Sequence, residues 1–191
     1  MSKTTRCYLL TEDNTTRKFE WGDNFSRITT MSWGTGISHE GGIVAFDSPL
    51  VAAMYADNNT NELWECIGEY GKKLGGGRYE YTRLTAVCAV VLPEVTEEQR
   101  IAFGILCAEE VCSIPEWHTW AENWLSGAER SQETATAVAN ATNNVAARLA
   151  AHAAGWGEGR FAANSAREAV VEATVSDDLI AVLARQAVEI A

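Results

Sequence analysis

A break in composition at Pro93–Val111, PEVTEEQRIAFGILCAEEV, constrains this chain more than any other feature. Before it the sequence reads as short strands and glycine-rich turns; after it, as alanine-rich helix. Pro93 stops the preceding strand, and Thr96-Glu97-Glu98-Gln99 has the spacing of a capping box, a hydroxyl followed three residues later by a glutamine. Ile101, Ile105 and Ala108 repeat at helical spacing, and Phe103, Leu106 and Cys107 widen the apolar stripe over much of the circumference. The expectation is an α+β fold: a small, mostly antiparallel β-sheet domain over residues 1–92, and an alanine-rich helical subdomain over 93–191. In the second, a seam helix at about 97–112, expected between the two halves and against the sheet, precedes about four further helices.

Charge divides at the same place. The chain of 191 residues carries a formal charge of −11. Residues 1–92 hold nine Lys and Arg against eleven Asp and Glu, whereas 93–191 hold six against fifteen and no lysine. Phosphate binding needs clustered cations, so the acidic half argues against direct nucleic-acid binding. It suits a basic protein partner or mimicry of nucleic-acid charge, with plain solubility of an alanine-rich surface as the alternative. No apolar run is long enough to span a bilayer, and MSKTTRCYLL lacks a signal-peptide core, so a cytoplasmic, non-membrane protein is expected. Five cysteines (Cys7, Cys66, Cys88, Cys107 and Cys112) form no CxxC pair; they read as buried reduced thiols, with no metal and no cofactor implied.

Along the first half, Thr5–Leu10 and Arg17–Trp21 read as strands around an Asp-Asn turn, and Gly22–Gly42 as an irregular loop holding His39-Glu40. Ile43–Phe46 is a short strand, and Ser48-Pro49 opens a helix to Ala56. Glu62–Tyr70 is a strand with a bulge or twist at Gly68, Gly71–Gly77 a flexible turn, and Tyr79–Leu92 the strongest strand. In the second half, Ser113-x-x-Glu116 and Ser126-x-x-Glu129 repeat capping-box spacing. A helix from Ile114 to Leu125 puts Trp117, Trp120 and Trp124 on one face, either a core stripe or a stacking platform. Ser131–Ala154 reads as one long helix, Phe161–Thr174 as another, and Asp178–Ile190 as a last with Leu179, Val182, Leu183 and Val188 inward.

Chemistry-bearing signals are sparse. His39 with Glu40 could work as an acid–base residue or serve a loop structurally. Lys72, Lys73, Arg78 and Arg83 cluster around Gly75-Gly76-Gly77 as an anion-binding patch, although the glycines lack the following lysine and helix of a phosphate cradle. The acidic residues Glu109, Glu110, Glu116, Glu122, Glu129 and Glu133 are the candidate partner-binding set.

The order of strand, Asp47-Ser48-Pro49, helix, and the strand Leu63–Glu69 is similar to part of the ADP-ribosyltransferase layout. That resemblance makes Ser48 the serine position, Glu65 or Glu69 the acidic one, and Arg6 the candidate first-strand cation; the paired-glutamate motif is absent. More extensively, LWECIGEYGKK, TRLTAVCAVVLPEVTEEQRIAFGILCAEEV and WAENWLSG-x-x-RS, followed by alanine-rich helix, resemble a group of uncharacterised accessory proteins of phages and prophages. The resemblance implies a protein of the host-cell cytoplasm that engages and inhibits a host protein with a basic surface, plausibly an antiphage defence component. A nucleotide-handling protein, whether an ADP-ribosyltransferase-like enzyme or a sponge for a signalling nucleotide, and an oligomer-forming structural protein are the alternatives. Alanine-rich helices lacking apolar area favour a homo-oligomer.

Overall fold

The computed structural model describes residues 4–12, 24–25, 43–56, 61–173 and 176–190. The fold is α+β, and the chain divides into two compact units, Met1–Glu94 and Val95–Ala191. The expected strand Arg17–Trp21 and the part of the Gly22–Gly42 loop that holds His39 lie outside the described residues, while Asn24–Phe25, read as loop, forms a short strand.

The first unit contains β1 (Thr4–Glu12), β2 (Asn24–Phe25), β3 (Ile43–Phe46), α1 (Pro49–Tyr55), β4 (Asn61–Gly75) and β5 (Arg78–Val90). Every strand pairing is antiparallel. β1 lies between β3 and β4, and β5 pairs with both of those strands, so four strands close on themselves while β2 extends the sheet beyond β5. In a sheet closed in this way alternate side chains must fill the interior. They are Cys7, Leu9, Ile43, Ala45, Trp64, Cys66, Tyr81, Leu84 and Ala86, all buried. Closing so few strands requires sharp coiling, which the long strand β4 supplies through four register shifts against β5. One of them falls between Gly68 and Tyr70, where a bulge was expected. Gly68 is the residue that permits it: a Cβ there would stand 2.5 Å from Leu84 Cδ2 and 2.7 Å from Tyr81 Cδ1.

Residues 71–77 differ from the flexible turn expected. β4 runs on through Gly75, and Gly75 pairs with Arg78 across a two-residue turn. Gly76 and Gly77 have φ of 66° and 69°, the signature of a type I′ hairpin, whose twist matches that of the strands. Gly77 is also crowded: a Cβ would meet Asp47 Oδ1 at 2.9 Å and Val51 Cγ1 at 3.0 Å, while Asp47 N–H donates to Gly77 O at 3.0 Å. Gly77→Ala is therefore expected to destabilise the β unit by about 1–2 kcal/mol from the left-handed backbone alone. Gly76→Asn, tolerated at such turns, is expected to cost far less in the same denaturant titration.

The second unit contains α2 (Glu97–Glu109), α3 (Pro115–Leu125), α4 (Gln132–Ala141), α5 (Val145–Trp156), α6 (Gly159–Ala173) and α7 (Asp177–Glu189). The capping box at α2 forms as read: Thr96 accepts from Gln99 N–H at 3.1 Å, and Gln99 accepts from Thr96 N–H at 2.9 Å. α2 is buried over most of its circumference because α3, α5, α6 and α7 all pack on it. Glu97 accepts from the N–H of Gly159 at the start of α6, where a carboxylate complements the positive end of the helix. Ser165 of α6, fully buried, stands 3.0 Å from Gly104 O of α2 and 2.8 Å from Ala146 O of α5. A hydroxyl has one proton, so it serves the two carbonyls in alternation.

Three helical expectations are corrected. Ser131–Ala154 is two helices: Thr142 turns extended, and Asn144 caps α5 by accepting from Ala147 N–H at 2.8 Å. An asparagine pair competes with helix through exactly such local bonds, so the signal was there and was overridden by the alanines around it. Ser113 and Ser126 do not cap helices. Ile114 occupies the N-cap of α3, with Pro115 starting it, and Ser126 closes that helix instead. In α7 the buried stripe is Ile180, Leu183, Ala184 and Ala187, whereas Val182 is exposed.

Candidate functional site

Helix α3 sorts its side chains cleanly. Trp117, Trp120 and Trp124 are buried, so the three indoles form core. Trp117 donates from Nε1 to Ala147 O at 3.1 Å, fastening α3 to α5. Trp124 carries the Arg130 guanidinium 4.6 Å above its ring; Arg130 also donates to Trp124 O at 2.9 Å and pairs with Glu98 at 3.2 Å. With indoles filling one side, Glu116 and Glu122 are turned to solvent on the other.

The six candidate glutamates are therefore of two kinds. Glu110, Glu116, Glu122 and Glu133 are exposed. Glu129 and Glu109 hold the local structure together. Glu129 accepts from Ser131 N–H at 2.7 Å beside the start of α4, and that backbone bond holds its carboxyl below the ordinary value. Glu109 is half-buried, and desolvation pushes its carboxyl above the ordinary value. Its oxygen lies 3.9 Å from Nδ1 of His118, which opposes the rise, while Glu122 and Glu110 add to it. His118 Nε2 meets Cys112 O at 2.6 Å. No sequence spacing identified this pair, because it forms across the turn between two helices.

In the β unit, Arg6 Nε and Glu65 Oε1 form an ion pair at 2.9 Å, with Glu65 the more buried partner. Tyr8 is opposite both Phe46 on β3 and Glu65 on β4, and Ser48 follows Phe46 by two residues. Ser48 takes the N-cap position of α1, but its side chain makes no capping bond. Glu69 lies opposite Thr4. Of the cationic patch, Lys72 and Lys73 are exposed on the hairpin, with Lys72 opposite the buried Glu80. Arg78 is committed to structure: it donates to Gly75 O at 3.3 Å and lies 5.5 Å over the Tyr55 ring. Arg83 is on β5, and its side chain lies outside the described residues.

All five cysteines are free, but Cys88 is exposed, contrary to the buried thiol expected. β5 alternates, and Cys88 is opposite Glu65 on the outer face. Burial pushes the Cys7 and Cys66 thiols up to about 12, so both stay protonated near neutrality. Among the described residues no cluster of three or more His, Cys, Asp or Glu is placed to hold a metal ion, and no helix is long and apolar enough to cross a membrane.

No protein family, curated protein or solved structure matches this chain.

Proposed function

We propose that this protein is an acidic binding protein that engages a basic surface on a host protein and inhibits it, its binding face being carried by the helical unit. The observation that carries this reading is the partition of α3: its three indoles are buried, which fixes Glu116 and Glu122 outward, near in sequence to the exposed Glu110 and Glu133. Rigid backing matters because a charge held in place loses less side-chain entropy on binding than one on a loop. A surface of one sign steers an oppositely charged partner and raises its association rate. The resemblance to phage accessory proteins supports a host protein, plausibly of an antiphage system, as the partner, and the host cytoplasm as the location.

The experiment is an affinity pull-down of the tagged full chain from host lysate, followed by titration of the recovered partner. The triple change Glu110→Lys, Glu116→Lys and Glu122→Lys is expected to slow association about tenfold or more at low salt and to flatten its salt dependence. Unchanged binding by the folded variant would sink the reading.

A second reading, a nucleotide-handling protein, rests on the Arg6–Glu65 pair and on the position of Ser48 near the row that contains Glu65. It is weakened by the pairing itself, since a guanidinium at 2.9 Å already satisfies the carboxylate a transferase would need free. Native mass spectrometry of the purified protein distinguishes the two: a retained mass of nucleotide size favours the second.

A further inference from the structure

We propose that Glu109 and His118 share one proton and that this proton closes a pH-sensitive latch across the turn joining α2 to α3. The argument is one of donors and acceptors. The imidazole of His118, on the second turn of α3, faces an acceptor with each nitrogen: the Cys112 carbonyl at 2.6 Å from Nε2, and the Glu109 carboxylate at 3.9 Å from Nδ1. A neutral imidazole has a single N–H. If that proton sits on Nε2, the Nδ1 lone pair faces an anionic carboxylate. If it sits on Nδ1, the Nε2 lone pair is pressed against a carbonyl oxygen at 2.6 Å. Both contacts are attractive only when the pair holds an additional proton, either as imidazolium with carboxylate or as neutral ring with carboxylic acid.

The surroundings favour retention of that proton. The other charged groups that raise the Glu109 carboxyl are Glu122 from α3 and Glu110 from the end of α2, both acids. From the segment between α4 and α5, Asn144 reaches the Val111 carbonyl at 3.3 Å and brings no charge. The edge of the imidazole ring packs on Trp117 with centroids 5.7 Å apart. Burial of Glu109 penalises its ionised form. Its contribution to stability is therefore full in acid and is lost as pH rises through the raised value.

The turn held by this latch comprises 110–114, where Val111 and Cys112 N–H both donate to Ala108 O and Trp117 and His118 N–H to Ile114 O. Loss of the proton removes one of the two ring contacts and frees the turn to open. Because Glu110 and Glu116 flank it, opening would also rearrange the acidic face, but the latch stands whether or not that face binds a partner.

The test is amide hydrogen exchange on the full chain by NMR between pH 4 and 8, corrected for intrinsic exchange, read at Val111, Cys112, Trp117 and His118. In the wild type, protection is expected to fall with rising pH by up to about tenfold per pH unit. Glu109→Gln places an amide N–H opposite Nδ1, so a neutral ring donating from Nε2 satisfies both neighbours; protection should persist and its pH dependence vanish. His118→Gln should lose protection at every pH. Imidazole nitrogen shifts supply the second readout: at low pH the latched wild type shows either both nitrogens protonated or the Nε2–H tautomer, and Glu109→Gln shows the Nε2–H tautomer; an Nδ1–H tautomer in the wild type at low pH would overturn the proposal. Wild-type protection that is flat in pH, or the same slope in Glu109→Gln, would overturn the proposal.

Discussion

Trp117→Ala is expected to destabilise the helical unit by about 3–5 kcal/mol, a large fraction of the roughly 5–15 kcal/mol that holds an ordinary small domain. The indole is 1% exposed and is the largest fully buried side chain among the described residues. Its removal leaves a cavity beside the rings of Trp120 and His118, each with its centroid 5.7 Å from that of Trp117 in the intact protein, and the cavity adds to the lost transfer energy. The hydrogen bond to Ala147 O is a smaller share, about 1 kcal/mol, and Trp117→Phe measures it together with a partial loss of volume. Denaturant unfolding followed by far-ultraviolet circular dichroism checks both. A loss under 1 kcal/mol in the alanine variant would mean that α3 is dispensable to the unit, and with it the rigid backing of the acidic face.

The elements legible in the sequence were those whose cause is local. Thr96 and Gln99 cap α2 because both partners lie within one turn. Pro49 opens α1 because its missing N–H belongs where a helix has no use for one. Tertiary closure was not legible. That β5 pairs with β3 as well as with its hairpin partner β4, and that β1 pairs with both β3 and β4, depends on strands far apart in sequence, and only Gly68, whose missing side chain admits Tyr81 and Leu84, hints at it. The helix break at Thr142–Asn144 was hidden by composition, since alanine propensity is summed over a window while a cap acts at one residue. The stripe of α7 was misassigned for the same reason in reverse: Leu179 and Val182 are large and attract attention, but the small Ala184 and Ala187 are among the side chains that are buried.

Of the candidate site, the exposed glutamates were legible as a charge excess, and the tryptophans as one face of a helix, but spacing alone left open whether that face was core or platform. What could not be read was the division of labour within the acids. Glu109 and Glu129 are drawn from the same run of charge as Glu110 and Glu133, yet one contacts a histidine across a turn and the other a backbone amide. Arg130 is the counterpart on the basic side: its guanidinium is spent on Trp124 and Glu98, so it subtracts little from the negative face.

The same chemical change, glycine to alanine, is expected to have opposite effects at Gly155 and Gly104, and valine at Gly104 to have the larger effect still. Gly155 lies in α5, where an added Cβ would meet Ala135 Cβ at 3.4 Å and Thr136 Oγ1 at 3.5 Å, ordinary contact. There the helix propensity of alanine prevails, and Gly155→Ala should stabilise by up to about 1 kcal/mol. Gly104 lies in α2 against α6. A Cβ there would stand 2.7 Å from Ala162 Cβ, 3.0 Å from its Cα and 3.1 Å from its carbonyl oxygen. Two of those three atoms are backbone and the third is rigidly attached to it, so no rotamer relieves the clash and α6 must move as a body. Overpacking of this kind costs about 1–3 kcal/mol, which exceeds the propensity gain, and Gly104→Ala should destabilise on balance. Gly104→Val adds two methyls to the same gap and draws Ser165 away from the Gly104 carbonyl, so about 3 kcal/mol or more is expected. Thermal unfolding of the three variants decides it. Equal shifts at 104 and 155 would mean that α2 and α6 are not in backbone contact, and that a core built from alanine holds by something other than close approach.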